Sequence, residues 1–301
     1  PGGHVIFHGS KPWQGWAHTL NWHDFYDIYE LEINPNNKNQ YRYDGEWLEL
    51  EKRKIPLKVK LGPIKLPVKK TVYDTKYGPA IRNKSGVYAT RSNAWFDLRT
   101  GDQLYHMNKA QNFQEWKEAL QMHAFPSVNG IYADKDDNIF YISAGKFPKR
   151  DPHFNWHGAV RGDTSATRWT AFEPWEVAPM LENPEGGFLL NTNNTPFTAT
   201  RSGQNLDPAD YPKTMGVQQM DNNRSLRLMA LLDHDREISW EEFKAIKYDV
   251  KYPVSSALLR SVAFVYTMHP EAYPEYAEAL RLIHNWDRST DKQSLGATIV
   301  L

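Results

Sequence analysis

Short segments in which apolar and polar residues alternate follow one another through the first 75 residues of the chain. The clearest are residues 29–33, 46–50 and 55–61. An alternation with a period of two places successive side chains on opposite faces of a strand, so these segments predict β-strands. Asp44-Gly45 and Gly62-Pro63 separate neighbouring segments and predict two hairpins. The first part of the chain is therefore expected to form a sheet.

A helical pattern replaces this alternation later in the chain. Asn112 with Glu115 three residues further on predicts a helix N-terminus, because the two side chains can cap exposed backbone N–H groups. We therefore expect an α+β fold, with a sheet-rich first two-thirds followed by helices. Further helices are predicted from about residue 222, after the capping residue Ser239, and within residues 254–268 and 271–285. Residues 296–301 are predicted to form a β-like apolar run.

Charge and composition exclude several classes of protein. The 301 residues include 36 basic and 36 acidic side chains, and this zero net charge argues against charge-driven binding to nucleic acid or a membrane surface. Cysteine is absent, which excludes disulfides and thiolate chemistry. No apolar run approaches the length that crosses a bilayer. The Pro-, Trp- and Gly-rich residues 146–187 are expected to line a site or to pack over another segment.

Residues 15–29 concentrate Trp, His, Thr and Asp side chains in one short segment. Gly15 is expected to form a tight turn that directs backbone N–H groups towards a ligand. Asp24 and Asp27, three residues apart, could share a hard cation. An ordinary sheet edge also explains such a segment.

The run Asn193-Asn194-Thr195-Pro196 is a second candidate binding element. An Asn side chain offers N–H donors without charge, which suits an oxyanion hole when a backbone N–H lies beside it. A turn of Asn residues before Pro is the structural alternative. The chain shows neither a Gly-x-Ser-x-Gly elbow nor a Gly-rich phosphate loop, so no nucleophile is indicated within it.

The order of these pieces resembles the β-chain of the penicillin acylase family, which groups penicillin, cephalosporin and acyl-homoserine lactone acylases. The likeness runs from Pro1 to about Leu301. In chain order, it is carried by Gly15-Trp16-Ala17-His18-Thr19, Asp24-x-x-Asp27, Tyr77-Gly78-Pro79, Tyr132-Ala133-Asp134, Asn138-Ile139, Pro148-x-Arg150, Asn183-Pro184, Gly186-Gly187-Phe188, Asn193-Asn194-Thr195-Pro196 and Arg224.

The resemblance implies part of an N-terminal-nucleophile hydrolase fold, an αββα sandwich, and assigns three catalytic positions. The backbone N–H of Leu20 would form one half of the oxyanion hole and the side-chain amide of Asn193 the other half. Arg224 matches the arginine that orients the surroundings of the nucleophile. The implied reaction is hydrolysis of an N-acyl amine, either a β-lactam acyl amide or an acyl-homoserine lactone.

The resemblance also implies a structural calcium site. Its expected ligands are the carboxylates of Asp24 and Asp27 and the carbonyl of Tyr26, with Asp207 or Asp210 as a further ligand from a later loop. Oxygen ligands of this kind suit calcium, which would fix the geometry of the segment without entering the chemistry.

Two further expectations concern what this chain lacks. The nucleophilic Ser of the family would lie upstream of Pro1, so residues 1–301 are expected to be one partial β-chain, truncated at both ends and inactive alone. The expected partner is the α-chain of the same precursor, with no nucleic acid or membrane partner and a periplasmic or secreted location. A Trp-rich carbohydrate-binding module and a non-catalytic relative are the alternatives.

Overall fold

The computed structural model describes residues 5–233 and 237–301, and strands dominate its first part. The strands are β1 (Gly9–Lys11), β2 (Gln14–Thr19), β3 (Tyr26–Glu30), β4 (Gln40–Tyr43), β5 (Glu46–Glu49), β6 (Glu51–Leu61), β7 (Ile64–Asp74), β8 (Pro79–Arg82), β9 (Val87–Ser92), β10 (Ser127–Asp134), β11 (Ile139–Gly145), β12 (Ala159–Arg161) and β13 (Met180–Glu182).

Two larger sheets and one separate hairpin contain these strands. Within residues 5–233 and 237–301, one sheet has five antiparallel strands in the order β1-β2-β10-β11-β13. The other has six described strands in the order β12-β3-β9-β8-β7-β6, and the β12–β3 pair is parallel. Strands β4 and β5 pair with each other.

Helices dominate the second part of the chain. Short 3₁₀ turns connect several of them, and long stretches between residues 146 and 222 have no regular structure. The helices are α1 (Thr100–Lys109), α2 (Phe113–Leu120), α3 (Asn223–Leu232), α4 (Trp240–Lys247), α5 (Ala257–Ser261), α6 (Ala277–His284) and α7 (Leu295–Val300).

Both hairpins predicted in the first 75 residues are confirmed. Asp44 (φ 49°) and Gly45 (φ 87°) connect β4 to β5, and both have the positive φ that a type I′ turn requires. Gly62 (φ 59°) lies in the turn between β6 and β7. The capped start of α2 is also confirmed, because the Asn112 side chain accepts a hydrogen bond from the N–H of Glu115.

Two local predictions were wrong. Residues 295–300 form helix α7 and not a β-like run, because the Ser294 side chain caps the first turn. Gly296 also lets this helix approach Trp286 closely: a Cβ atom at Gly296 would lie 2.5 Å from the Cβ atom of Trp286. Gly15 is not a turn residue, since it lies inside β2 and pairs with Ser10 and Ala133.

Two hydrophobic cores hold the sheets in place. One packs α1 and α2 against the five-stranded sheet, with Trp116, Tyr132 and Phe140 among its buried residues. The other covers the six-stranded sheet, and Trp156 and Trp169 of the aromatic segment 146–187 are buried in it. These two tryptophans therefore pack over another segment, the second of the two roles expected for residues 146–187.

In the described ranges, no helix is both long enough and apolar enough to span a membrane.

Candidate active site

The three residues predicted to carry catalysis meet where β2 ends. The side-chain amide of Asn193 donates a hydrogen bond to the carbonyl oxygen of Leu20 at 2.8 Å. The Arg224 guanidinium donates to the side-chain oxygen of Asn193 at 2.9 Å and to the carbonyl of Thr192 at 2.6 Å. One N–H of the Asn193 amide therefore contacts Leu20, and its second N–H is available to another acceptor. The structure thus brings Leu20, Asn193 and Arg224 together through direct hydrogen bonds.

The loop of residues 191–195, here called the asparagine loop, is held by its own side chains. Asn193 has φ 67°, a left-handed conformation that Asn adopts more readily than most residues. The side-chain oxygen of Asn194 accepts from the N–H of Thr192 at 2.8 Å. Asn222, which caps α3, donates to the carbonyl of Thr192 at 2.9 Å. The loop is thus tied to the start of the helix that presents Arg224.

A buried polar residue that the sequence analysis missed supports the other side of Leu20. The side-chain amide of Asn129 on β10 donates to the carbonyl oxygen of Leu20 at 3.0 Å. The same amide lies 3.2 Å from the side-chain oxygen of Asn191 in the asparagine loop. A single Asn within the otherwise apolar residues 128–133 is the sequence signal that could have identified it, because a buried amide must find partners.

His23 is buried on the inner side of the same segment. Its Nδ1 atom accepts from the backbone N–H of Gln218 at 3.0 Å, and its Nε2 atom lies 2.7 Å from the hydroxyl of Ser143. Burial lowers the pKa of His23 to about 3, so the ring is neutral at neutral pH. Gln218 and Ser143 were also missed by the sequence analysis, since neither stands in a recognisable motif.

Arg150 lies between the two acidic residues that were predicted to bind calcium. Its guanidinium donates to the Asp27 carboxylate from Nε at 3.0 Å and lies 3.4 Å from the carboxylate of Asp24. The indole N–H of Trp169 donates to the same oxygen of Asp27 at 2.6 Å. Burial raises the pKa of Asp27, and the charge of Arg150 opposes that shift. The arginine therefore already supplies a cation at this position.

Only part of the predicted calcium ligand set is brought together. The Oδ1 atom of Asp27 is buried and accepts no hydrogen bond from any described residue, which fits a cation ligand. Asp207 instead caps a 3₁₀ turn, with its carboxylate accepting from the N–H of Ala209 at 2.8 Å. Across residues 5–233 and 237–301, no cluster of three or more His, Cys, Asp or Glu side chains could hold a metal ion.

A cleft of about 770 Å³ lies beside the asparagine loop. Asn193 and Arg224 form part of its wall, so a ligand in the cleft can reach the Asn193 amide. Trp22 and Met220 also line it, and both side chains are exposed. Tyr252 adds a further aromatic surface. The cleft thus combines hydrogen-bond donors with apolar surface, as small-molecule sites commonly do.

Known proteins with similar sequences are acylases. The chain is 28% identical to penicillin G acylase of Escherichia coli over 189 residues, which cover 60% of this chain and 21% of that protein. It is 24% identical to an acyl-homoserine lactone acylase of Pseudomonas putida over 226 residues, covering 66% of this chain and 29% of that protein. The matched regions thus span less than a third of each relative.

A solved structure shares the fold. The thermostable penicillin G acylase from Alcaligenes faecalis superposes with a TM-score of 0.73 at 22% identity, covering 96% of this chain and 50% of that one. The chain therefore shares the fold of that penicillin G acylase over most of its length. The family described as penicillin amidase matches residues 1–300, and the chain accordingly belongs to the penicillin amidase family.

Proposed function

We propose that this chain is part of an enzyme that hydrolyses the amide bond of an N-acyl amine through an acyl-enzyme. The observation that carries the proposal is the contact of the Asn193 amide with Leu20 and of Arg224 with Asn193. The second N–H of Asn193 is an uncharged donor beside a cleft whose wall includes the apolar surfaces of Trp22 and Met220. Similarity to amide-hydrolysing acylases supports the same reaction class.

In this reaction a serine outside residues 1–301 attacks the acyl carbonyl, and its α-amine takes up the hydroxyl proton. The carbonyl oxygen becomes an oxyanion, to which the Leu20 N–H and the second N–H of Asn193 donate. Each such donor contributes about 3 kcal/mol to transition-state stabilisation. Breaking of the C–N bond releases the amine with that proton, and water then cleaves the ester to give the carboxylic acid. Arg224 keeps the oxygen of the Asn193 amide turned away from the reacting centre.

The proposed substrate carries an apolar acyl group, either a β-lactam acyl amide or an acyl-homoserine lactone. The exposed side chains of Trp22 and Met220 in the cleft support this choice. The proposed assembly pairs this partial β-chain, residues 1–301, with an α-chain of the same precursor. A partial αββα sandwich and a periplasmic or secreted location complete the proposal.

We also propose that calcium binds at Asp24 and Asp27, with the Tyr26 carbonyl as a further ligand. The unpartnered Oδ1 atom of Asp27 supports this site. Calcium would neutralise acidic charge and fix the segment that follows Leu20. The proposed acyl-transfer steps use the serine, its α-amine, Leu20 and Asn193, and none of them runs through this site.

Replacing Asn193 by Ala in the mature enzyme that contains this chain tests the reaction. Removal of one oxyanion donor is expected to lower kcat by 10²- to 10³-fold while KM changes little. Steady-state kinetics with an N-acyl amine measures both constants, and Asn36→Ala, an exposed turn residue, is the matched control. Unchanged kcat in Asn193→Ala would contradict the proposed oxyanion hole.

The isolated 301-residue chain is expected to show no turnover, since the nucleophile lies outside it. Clear turnover by this chain would contradict that part of the proposal. A Trp-rich carbohydrate-binding module is less well supported, because Trp156 and Trp169 are buried in a hydrophobic core. Saccharide binding without turnover in the mature protein would favour that module. Absence of both activities would favour the non-catalytic relative.

A further inference from the structure

Gln218 contacts both segments that form the proposed oxyanion hole. Its side-chain oxygen accepts from the backbone N–H of Trp22 at 2.8 Å. Its side-chain nitrogen donates to the backbone carbonyl of Asn193 at 2.8 Å. The residue is buried, so water does not readily replace these partners. One amide group thus connects the residue two positions after Leu20 to the residue that supplies the second donor.

The position of Gln218 is itself fixed by the backbone before it. Gly216 has φ 64°, and its carbonyl accepts from the N–H of Asp24 at 2.8 Å. A Cβ atom at Gly216 would lie 2.5 Å from the Cβ atom of Asp24, so only glycine permits this approach. Residues 216–218 are therefore packed directly against the segment that follows Leu20.

A chain of buried hydrogen bonds connects Gln218 to the carbonyl of Leu20. Because the N–H of Gln218 donates to Nδ1 of His23, the ring proton must lie on Nε2, which donates to the hydroxyl of Ser143. That hydroxyl donates to the side-chain oxygen of Asn129 at 2.6 Å. The Asn129 amide then donates to the Leu20 carbonyl at 3.0 Å. The hydroxyl of Ser143 has a single proton, which it donates to Asn129, so it accepts from His23 and the direction of these bonds is fixed.

We propose that Gln218 is a positioning residue of the oxyanion hole, which sets the separation between the Leu20 N–H and the Asn193 amide. The proposal rests on the proposed acylase function. Leu20 and Asn193 are 173 residues apart in sequence, so their spacing depends on contacts between loops. A misplacement of about 1 Å in such a site can cost about 10²-fold in rate. Gln218 acts through the two donors and does not itself touch the substrate.

The test uses Gln218→Glu in the mature enzyme. A glutamate keeps the oxygen that accepts from Trp22, but when ionised it cannot donate to the Asn193 carbonyl. At neutral pH we expect kcat to fall by about tenfold or more, with KM nearly unchanged. When the pH falls and the carboxyl is protonated, its O–H replaces the lost donor. The ratio of variant to wild-type kcat is therefore expected to rise as the pH falls.

The control for this experiment is Gln219→Glu, which adds the same charge at the neighbouring exposed position. Gln219 also lines the cleft, so this variant measures the effect of the added charge on kcat, and a larger loss with a stronger pH dependence is expected in Gln218→Glu. The charged and titratable side chains near Gln218 are present in both variants; they are His23 in direct contact and Asp24, His157, Tyr211, Lys213, Asp221, Arg224 and Tyr252 in the adjoining clefts.

A second variant, Gln218→Met, keeps the length of the side chain and removes both hydrogen bonds. Its kcat is expected to be lower than that of the wild type at every pH. This variant also tests the proposal where the glutamate variant does not fold. Wild-type kcat in Gln218→Met, or a Gln218→Glu ratio that does not change with pH, would overturn the proposal. If Asn193→Ala loses turnover while the Gln218 variants keep it, the positioning role fails and the acylase function stands. If Asn193→Ala also keeps turnover, the function itself fails.

Discussion

At the scale of single residues, Arg150 determines how the carboxylate of Asp27 can lie in the protein interior. The side chains of Arg150 and Asp27 are each 1% exposed, and they form an ion pair at 2.9 Å. Removing one partner of such a pair leaves a buried charge without compensation, which costs about 3–5 kcal/mol. A surface pair costs much less, because water solvates the remaining charge.

Arg150→Met is therefore expected to lower the free energy of unfolding by about 3–5 kcal/mol. The matched control is Arg42→Met, which breaks the exposed pair of Arg42 with Glu32 and should cost less than about 1 kcal/mol. Urea unfolding measures both values. Equal losses in the two variants would show that burial of Asp27 does not require the arginine.

The same unfolding experiment tests the calcium proposal. If calcium binds Asp24 and Asp27, the unfolding midpoint should be higher in calcium chloride than in EDTA, since a ligand that binds only the folded state stabilises it. The increase should be larger in Arg150→Met, where both carboxylates have lost their cation. Midpoints that do not depend on calcium in either protein would contradict the site.

At the scale of elements, the β6–β7 hairpin behaves differently from the rest of the sheet. Among the residues that the structure describes, these strands pair only with each other beyond Tyr73 and Asp74, which pair with β8. The alternation in residues 55–61 predicted strands correctly, and such a pattern is typical of a strand with one buried face. Here six aliphatic side chains on one face remain 42–64% exposed: Leu57, Val59, Leu61, Ile64, Leu66 and Val68. An unsupported two-stranded hairpin contributes little stability.

Replacing residues 54–71 by Asn-Gly should therefore leave the melting temperature within about 2 °C of the original value. The new turn joins Arg53 to Val72, which are already opposite each other, and Asn-Gly suits a two-residue loop. Thermal unfolding measures the effect. Tyr41→Ala, which empties a buried position, is the contrasting variant and should cost about 3 kcal/mol. If shortening the hairpin destabilises the protein as much as Tyr41→Ala does, the hairpin supports the core.

The elements also show what the sequence can and cannot predict. Hairpins and capped helices were predicted because their signals lie within a few residues, as at Asp44-Gly45 and Asn112. Leu20, Asn193 and Arg224 were predicted as catalytic positions through the resemblance that the order of motifs carries. Gln218 was not, because its partner Trp22 is 196 residues away and a single Gln in a loop has no pattern. Helix α7 was missed because a short apolar run suits strand and helix equally.

At the scale of the whole molecule, buried neutral histidines connect folding to pH. Burial lowers the pKa of His18, His23 and His123 below the value of an exposed histidine, and that of His23 falls to about 3. In the unfolded chain these rings become protonated near pH 6.5. Between that pH and the lower folded values, the unfolded state binds more protons than the folded state. The contribution of these histidines to the free energy of unfolding is therefore fully present above about pH 6.5 and is lost as the pH falls.

The free energy of unfolding should thus decrease between pH 6.5 and 4.5, with each fully buried histidine contributing up to about 1.4 kcal/mol per pH unit. His23→Asn removes one such group, so its stability should fall less steeply over this range, even where its stability at pH 7 is lower. His157→Asn, at an exposed loop position, is the control and should retain the original slope. Urea unfolding at several pH values measures the slopes. An unchanged slope in His23→Asn would mean that this ring already carries its proton in the folded protein, which would also remove the acceptor that fixes the Gln218 backbone.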